Sequence, residues 1–346
     1  METLWFCLVA FMLAIYVILD GFDIGVGVAH LFVAKNAEER RLTLRSIGPV
    51  WDGNEVWLIA AGGTLYFAFP ALYATSFSGF YLPLMVVLWL LILRGISIEL
   101  RNHLEGPIWA PFWDVVFAAS SILLAVFFGA ALGNVVRGVP MDAEGRFFEP
   151  LWTDFRPVGE AGILDWYTVS VALAALSALA LHGALWITLK TREPIRDRAR
   201  RIAVIAWWST AALTAAVTIF SLRLQPQITA NLSSRPWGYV FPALALLGLI
   251  AAWRFHTARR EGRAFAASCA YLAGMIGSAA FGIYPNVLPS LTGTDRALTV
   301  VNAAAPSSGL RIGLAWWIPG ILLAIGYFLF TYSRFSGKVT SETEGY

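Results

Sequence analysis

Residues 19–57 read LDGFDIGVG, a short basic loop, then WDGNEVW, placing Asp20, Asp23, Asp52 and Glu55 in or at the ends of two otherwise apolar stretches. A lone ionised side chain at the centre of a membrane helix costs several kcal/mol, about 2.5–3.5 on insertion scales. Such carboxylates need partners, water or protons, so an ion or proton path is the default functional reading. Asp20 and Asp23 are three apart and share a helix face, which Gly27 continues one turn on. Gly21, Gly25 and Gly27 strip side chains from the same segment, so a neighbouring helix can approach closely and cover the acids with protein. The plainer reading is that each Asp hydrogen-bonds that neighbour. Asp52 and Glu55 repeat the spacing just after Pro49. For Asp52 an ordinary helix start, with acids complementing the positive end of the dipole, is a full alternative. Glu55 lies deeper. Trp51 and Trp57 beside them fit an interfacial aromatic belt.

The elements that must carry these residues are membrane helices. The chain has 346 residues, 58% hydrophobic and 14% charged, whereas a soluble domain carries about 25% charged residues. Apolar runs long enough to cross about 30 Å of hydrocarbon cover 4–31, 53–73, 77–98, 112–136, 162–189, 202–222, 238–255, 264–284 and 312–333. An all-α integral membrane fold with nine transmembrane helices is therefore expected. Alternating these spans puts 18 of the 25 Lys and Arg in 35–50, 94–110, 190–201, 254–263 and the tail, against seven in the other loops. By the positive-inside rule the first set is cytoplasmic, the N-terminus outside and the C-terminus inside. Both acid pairs then lie toward the cytoplasmic half and could form one cluster. No cleavable signal is evident, because Met1-Glu2 is not a basic n-region. Cys7 and Cys269 fall near opposite membrane faces, against an intramolecular disulfide.

No loop is long enough for a soluble domain. The basic 190–201 loop (KTREPIRDRARR) divides the chain and suits anionic headgroups. FFGAALGNVVRGVP (127–140) and AFGIYPNVLPS (280–290) echo each other weakly. They suggest two four-helix bundles plus one peripheral helix: 1–140 with the acidic hairpin, 141–290, and 291–346 with the last helix and tail.

Histidines are few: His30, His103, His182 and His256. Axial haem ligation needs His or Met inside the bundle. His30, His103 and His256 fall at or beyond inner helix ends and His182 lies alone in the inner half of the fifth span, and a lone helical His more often satisfies a neighbouring backbone or side-chain group. With no CxxC, HExxH or phosphate loop, no catalytic, metal-binding or cofactor-binding residue is expected in this chain, nor any nucleic-acid contact. Arg94, Glu99 and Arg101 read as interfacial charge pairs, and Asn134 as a helix contact.

The chain resembles subunit II of the bd-type quinol oxidases. The matching stretches are DGFDIGVG (20–27), ERR (39–41), SIGPVWDGNEVWLIAAGG (46–63), FSGFYLPL (77–84) and GNVVRGVP (133–140). They cover the first 140 residues well; the remainder matches in the number and spacing of spans. RGISIELR (94–101) and the compact outer loops look like the cyanide-insensitive branch. The resemblance implies a multi-pass protein of the bacterial cytoplasmic (inner) membrane, bound to a haem-bearing subunit I. It implies two haems b and a haem d, or its b-type replacement, in that partner. It implies quinol and oxygen as substrates, and a proton gradient made without pumping by drawing chemical protons from the cytoplasm. A small accessory subunit and a structural quinone or lipid would be in keeping with it. In the family, the first Asp of DGFD and the Asp of WDG serve proton uptake; here they are Asp20 and Asp52. Asp23 and Glu55 extend that path by helix-face geometry. The rival is a proton-coupled secondary transporter using the same acids, although no broken helix pair recurs in the two halves.

Overall fold

Backbone in hydrocarbon must satisfy its own hydrogen bonds, so the apolar runs fold as helices. A computed structural model describes residues 1–340 apart from 105 and 158; the end of the expected cytoplasmic tail, 341–346, lies outside the described residues. In chain order the helices are α1 (Glu2–Val33), α2 (Ala37–Arg45), α3 (Trp51–Ala68), α4 (Pro70–Gly79), α5 (Tyr81–Leu100), α6 (Trp109–Arg137), α7 (Trp166–Lys190), α8 (Ile195–Leu224), α9 (Pro226–Ser234), α10 (Val240–Thr257), α11 (Glu261–Ile283) and α12 (Ser307–Arg334). Between α11 and α12 a small antiparallel pair forms from β1 (Asn286–Leu288) and β2 (Leu298–Thr299).

Among the described residues eight helices are long and apolar enough to cross a membrane: α1, α5, α6, α7, α8, α10 with the turn before it, α11 and α12. Helices α3 and α4 meet that test only together, and they are bent by 120° where they join. The stretch expected to span over 53–73 is thus broken at Phe69. Pro70 begins α4, and the residue before a proline is held out of helical conformation, as Phe69 is at φ −134° and ψ 66°. Two stretches expected as loops contain helix. α2 opens on Asn36, whose side chain accepts the Glu39 amide. The first turns of α8 absorb most of the basic 190–201 stretch, because Ile195 and Ala199 bury against the C-terminal ends of α1 and α7.

Helix α7 is the centre of the molecule: 72% of its most apolar window is buried, against 0% for α12. Small residues let α1 reach it. A Cβ on Gly25 would lie 2.7 Å from the Gly183 amide nitrogen, closer than backbone can tolerate. Gly129 of α6 is equally tight, 2.6 Å from the Ala172 Cα. Asp165 caps α7 and forms a capping box with Thr168. On the side opposite the basic loops, the two echoing segments meet. The Val139 amide donates to the Pro289 carbonyl at 3.0 Å, and the Leu291 amide donates to the Val139 carbonyl at 2.9 Å. Gly138 holds φ +97° there against Pro289.

Replacing Gly183 by Val should therefore prevent stable accumulation of the chain. Gly62→Ala, where an added Cβ meets nothing within 4 Å, should leave it unchanged. Size-exclusion profiles of tagged protein in mild detergent distinguish the two outcomes.

Candidate functional site

Helices α1, α3 and α5 build one ionic cluster in the apolar interior. Asp20 and Asp23 of α1 are fully buried, as is Arg94 of α5. One guanidinium nitrogen, Arg94 Nη2, lies 2.7 Å from Asp20 Oδ1 and 2.9 Å from Glu55 Oε2 of α3. Asp23 turns to a different partner: Asn54 Nδ2 donates to its Oδ2 at 2.7 Å. The Tyr332 hydroxyl of α12 donates to Asn54 Oδ1 at 2.9 Å and ends that chain. Tyr16, one turn before Asp20, and Trp57, beyond Glu55, are buried beside them.

Burial changes stepwise along this row. Asp52 is exposed in the first turn of α3. Glu55, one turn on, keeps 22% of its side chain exposed, and Asp20 keeps none. Of the four acids expected to act together, Asp20, Asp23 and Glu55 share this cluster, and Asp52 stands at its exposed edge. Three buried or half-buried carboxylates face one guanidinium, which leaves negative charge for protons or other donors to meet. Among the described residues Asp23 Oδ1, the Tyr16 hydroxyl, and Arg94 Nε and Nη1 are buried without a protein hydrogen bond. Polar groups in that condition are costly unless water or a proton reaches them.

Arg94 was expected to pair near the interface with Glu99. It pairs inward, and Glu99 is exposed; five residues apart on one helix, the two face different ways. The signal was present in LWLLILRGIS, an arginine inside an apolar run, but 94 fell at the edge of the expected span. Arg101 holds Asp114 of α6, with Nε 2.5 Å from Oδ1 and Nη2 3.2 Å from Oδ2. His30 Nε2 at 2.8 Å and Arg40 Nη1 at 3.1 Å complete that second network. Asp114, an acid among the aromatics of WAPFWDVVF, carried the same signal as Asp20 and was missed.

The flanking charges are structural. Arg198 donates to both oxygens of Glu39, at 2.6 and 2.9 Å, and also to the Val33 carbonyl. The Arg198 hydrogen bonds hold the Glu39 carboxyl below its ordinary 4.5. A depressed folded-state value stabilises above the unfolded one and is lost as pH falls through it. At the other membrane face Arg137 gathers Glu149, Asp165 and Asn134. Asn134 also donates to the Ala130 carbonyl of its own helix and to the Ile163 carbonyl ahead of α7, so it ties α6 to the loop before α7, where a contact to another helix was expected.

Against this geometry, the sequence model described as cytochrome bd terminal oxidase subunit II matches residues 1–335. The chain belongs to that family. It is 31% identical to the probable cytochrome oxidase subunit 2 of Haemophilus influenzae, over 99% of this chain and 96% of the relative. It is 30% identical to the cytochrome bd ubiquinol oxidase subunit 2 of Bacillus subtilis, over 99% and 98%. Its fold is similar to a chain in the structure of bd oxidase from Geobacillus thermodenitrificans, with a TM-score of 0.76, 20% identity and coverage of 96% and 98%. The chain is thus a multi-pass subunit of a quinol-oxidising oxidoreductase, a complex that uses haem.

The two buried histidines are held by protein partners. His182 has both ring nitrogens engaged, Nδ1 with Ser268 Oγ at 2.7 Å and Nε2 with the Ile18 carbonyl at 2.9 Å, and it stacks on Phe265. His30 is tied to Asp114.

Removing Arg94 leaves Asp20 and Glu55 buried without their cation, so Arg94→Gln should destabilise the chain by about 3–5 kcal/mol. Adding Asp20→Asn should restore part of that loss, as thermal unfolding in detergent would read. Glu39→Gln should lower stability at neutral pH and shrink the further loss that the parent chain shows below about pH 4.5, followed in the same assay.

Proposed function

We propose that this chain is the proton-handling subunit of a bd-type quinol:oxygen oxidoreductase in the bacterial inner membrane. Its partner is a haem-bearing subunit I. The observation that carries the reading is the graded burial from exposed Asp52 through partly buried Glu55 to buried Asp20, with Asp23 on the same face of α1. A proton taken from the cytoplasm by Asp52 passes to Glu55 one helical turn deeper. Arg94, shared between Glu55 and Asp20, tolerates a proton on either carboxyl, because it keeps a counter-ion in both arrangements. Asp20 and Asp23, one turn apart, hold the proton deepest in the chain. Bound in subunit I, the two haems b and the haem d or its b-type replacement carry electrons from quinol to oxygen. Protons drawn from the cytoplasm to make water, and those released outside by quinol, generate the gradient without pumping.

The reading includes nine spans, the bent α3–α4 pair supplying the ninth, with the N-terminus outside and the C-terminus inside. The distribution of Lys and Arg supports that orientation. Helices α1, α3, α5 and α6 (1–140) form one bundle and α7, α8, α10 and α11 (141–290) a second, with α12 (291–346) peripheral. The meeting of Val139 with Pro289 and Leu291 supports the equivalence of the two halves. A small accessory subunit and a bound quinone or lipid suit such a complex. Membership of an oxidase-subunit family leaves no observation in favour of a free-standing transporter.

The test is quinol-dependent oxygen uptake by the complex purified through a tag on this chain, with its reduced-minus-oxidised spectrum. Asp20→Asn and Asp52→Asn should each slow turnover by about tenfold or more while the haem bands keep their height. Normal turnover in both variants would sink the proton-path reading, and loss of haem bands would assign these acids to assembly.

A further inference from the structure

The least buried helix of the molecule reaches into its most buried polar site. None of the most apolar window of α12 is buried in this chain, yet Tyr332, near its inner end, closes the Asp23–Asn54 chain. Two lysines pin that end. Lys190 Nζ donates to the Phe335 carbonyl at the close of α12. In return Lys338 Nζ donates to the carbonyls of Thr188, Leu189 and Thr191 at 3.2, 3.3 and 2.7 Å, and the Val339 amide donates to the Lys190 carbonyl at 2.8 Å. Each helix end thus has its free carbonyls answered by the other's lysine. Phe328 and Trp186 line the ring of Tyr332.

This clasp matters because an amide has two unlike ends. Asn54 can offer Asp23 either its NH2 group or its carbonyl oxygen, and the two demand opposite states of the carboxyl. A phenol hydroxyl donating to Asn54 Oδ1 leaves only Nδ2 for Asp23, where it sits 2.7 Å from Oδ2. Asp23 Oδ1 remains buried without a protein partner. We propose that Tyr332 is a positioning residue for the proton path: it fixes Asn54 with its NH2 toward Asp23 Oδ2, so that Oδ1 is the oxygen that takes and releases the proton. Asn54 Nδ2 also donates to the Leu19 carbonyl, at a longer 3.4 Å; without the hydroxyl that weak contact is all that opposes the amide turning its own carbonyl to Asp23. A proton on Oδ2 is then donated to that carbonyl and held there. The step is a proton transfer only; no bond to carbon, nitrogen or a metal changes. The proposal rests on the proton-path reading, and its test separates the two.

The test uses the intact complex with Tyr332→Phe, Asn54→Ala, both together, and Asp23→Asn. The readouts are haem content, oxygen uptake and infrared redox difference spectra in the protonated-carboxyl region. Tyr332→Phe should keep haem and partner, slow turnover roughly two- to tenfold, the scale of one neutral hydrogen bond, and shift the carboxyl band that Asp23→Asn deletes. In the Asn54→Ala background, Tyr332→Phe should add no further slowing, because the amide it orients is gone. Turnover and band at parent values in Tyr332→Phe, effects that simply add in the double variant, or loss of haem would each overturn the proposal. If Asp23→Asn slows turnover while Tyr332→Phe does not, positioning fails and the path stands. If Asp23→Asn matches the parent, the part of the path through Asp23 falls, and the proposal falls with it.

Discussion

The arrangement depends on one guanidinium in an apolar interior. Arg94 touches Asp20 on α1 and Glu55 on α3 through a single nitrogen, and it comes from α5. Three helices are therefore held at one point by charge rather than by shape. Desolvating an ion pair costs energy that an apolar contact would not, so the pair is weak evidence for stability as such. Its value lies in permission: with the cation in place, carboxylates can occupy the bundle, and without it they are stranded charges. Arginine suits the task better than lysine, since it stays charged in nearly any surroundings and offers several donors in a fixed plane.

The long first helix carries two of the buried polar networks. Asp20 and Asp23 lie at mid-helix, and His30, two turns nearer its C-terminal end, joins Asp114, which Arg101 and Arg40 also hold. The second network has three residues supplying four nitrogens around one carboxylate, an arrangement suited to fixing helices. The first has more carboxylates than cations, an arrangement suited to exchanging protons. Between them, glycines bring α1 against α7, so the helix that bears the acids is packed directly on the centre. A proton-handling group benefits from such a frame, because small displacements of its neighbours change what it can bond.

Much of this was legible in the sequence for one reason: charge inside apolar runs is conspicuous. DGFD and WDGNEVW announced the cluster, and three of its acids do meet. Arg94 and Asp114 announced themselves equally but sat near expected span ends, where interfacial pairing is the ordinary reading. Asn54 and Tyr332 could not have been found that way. They are 278 residues apart, and their meeting follows from how α12 lies on α3, which no local pattern encodes. The break before Pro70 was visible as a proline but lay within an apolar run whose composition hid it. The helical start of α8 was hidden by its charge, which reads as loop until Ile195 and Ala199 are seen to face the core.

The sparse packing of α12 gives the surrounding lipid a say in the site. At 1.5 Å per residue its 28 residues extend about 42 Å, well beyond a hydrocarbon layer of about 30 Å. A helix too long for its membrane tilts, and the tilt follows bilayer thickness when few side chains oppose it. The lysine clasp holds the end that bears Tyr332, and at the other end Leu310 is fully buried, its carbonyl accepting from Trp5 Nε1 at 3.1 Å. With both ends held, a mismatch between helix and bilayer is taken up by tilt of the whole subunit or by bending between the anchors, where Pro319 lies. The hydrogen bond to Asn54 sits beside one of the two anchors, where bending moves it least.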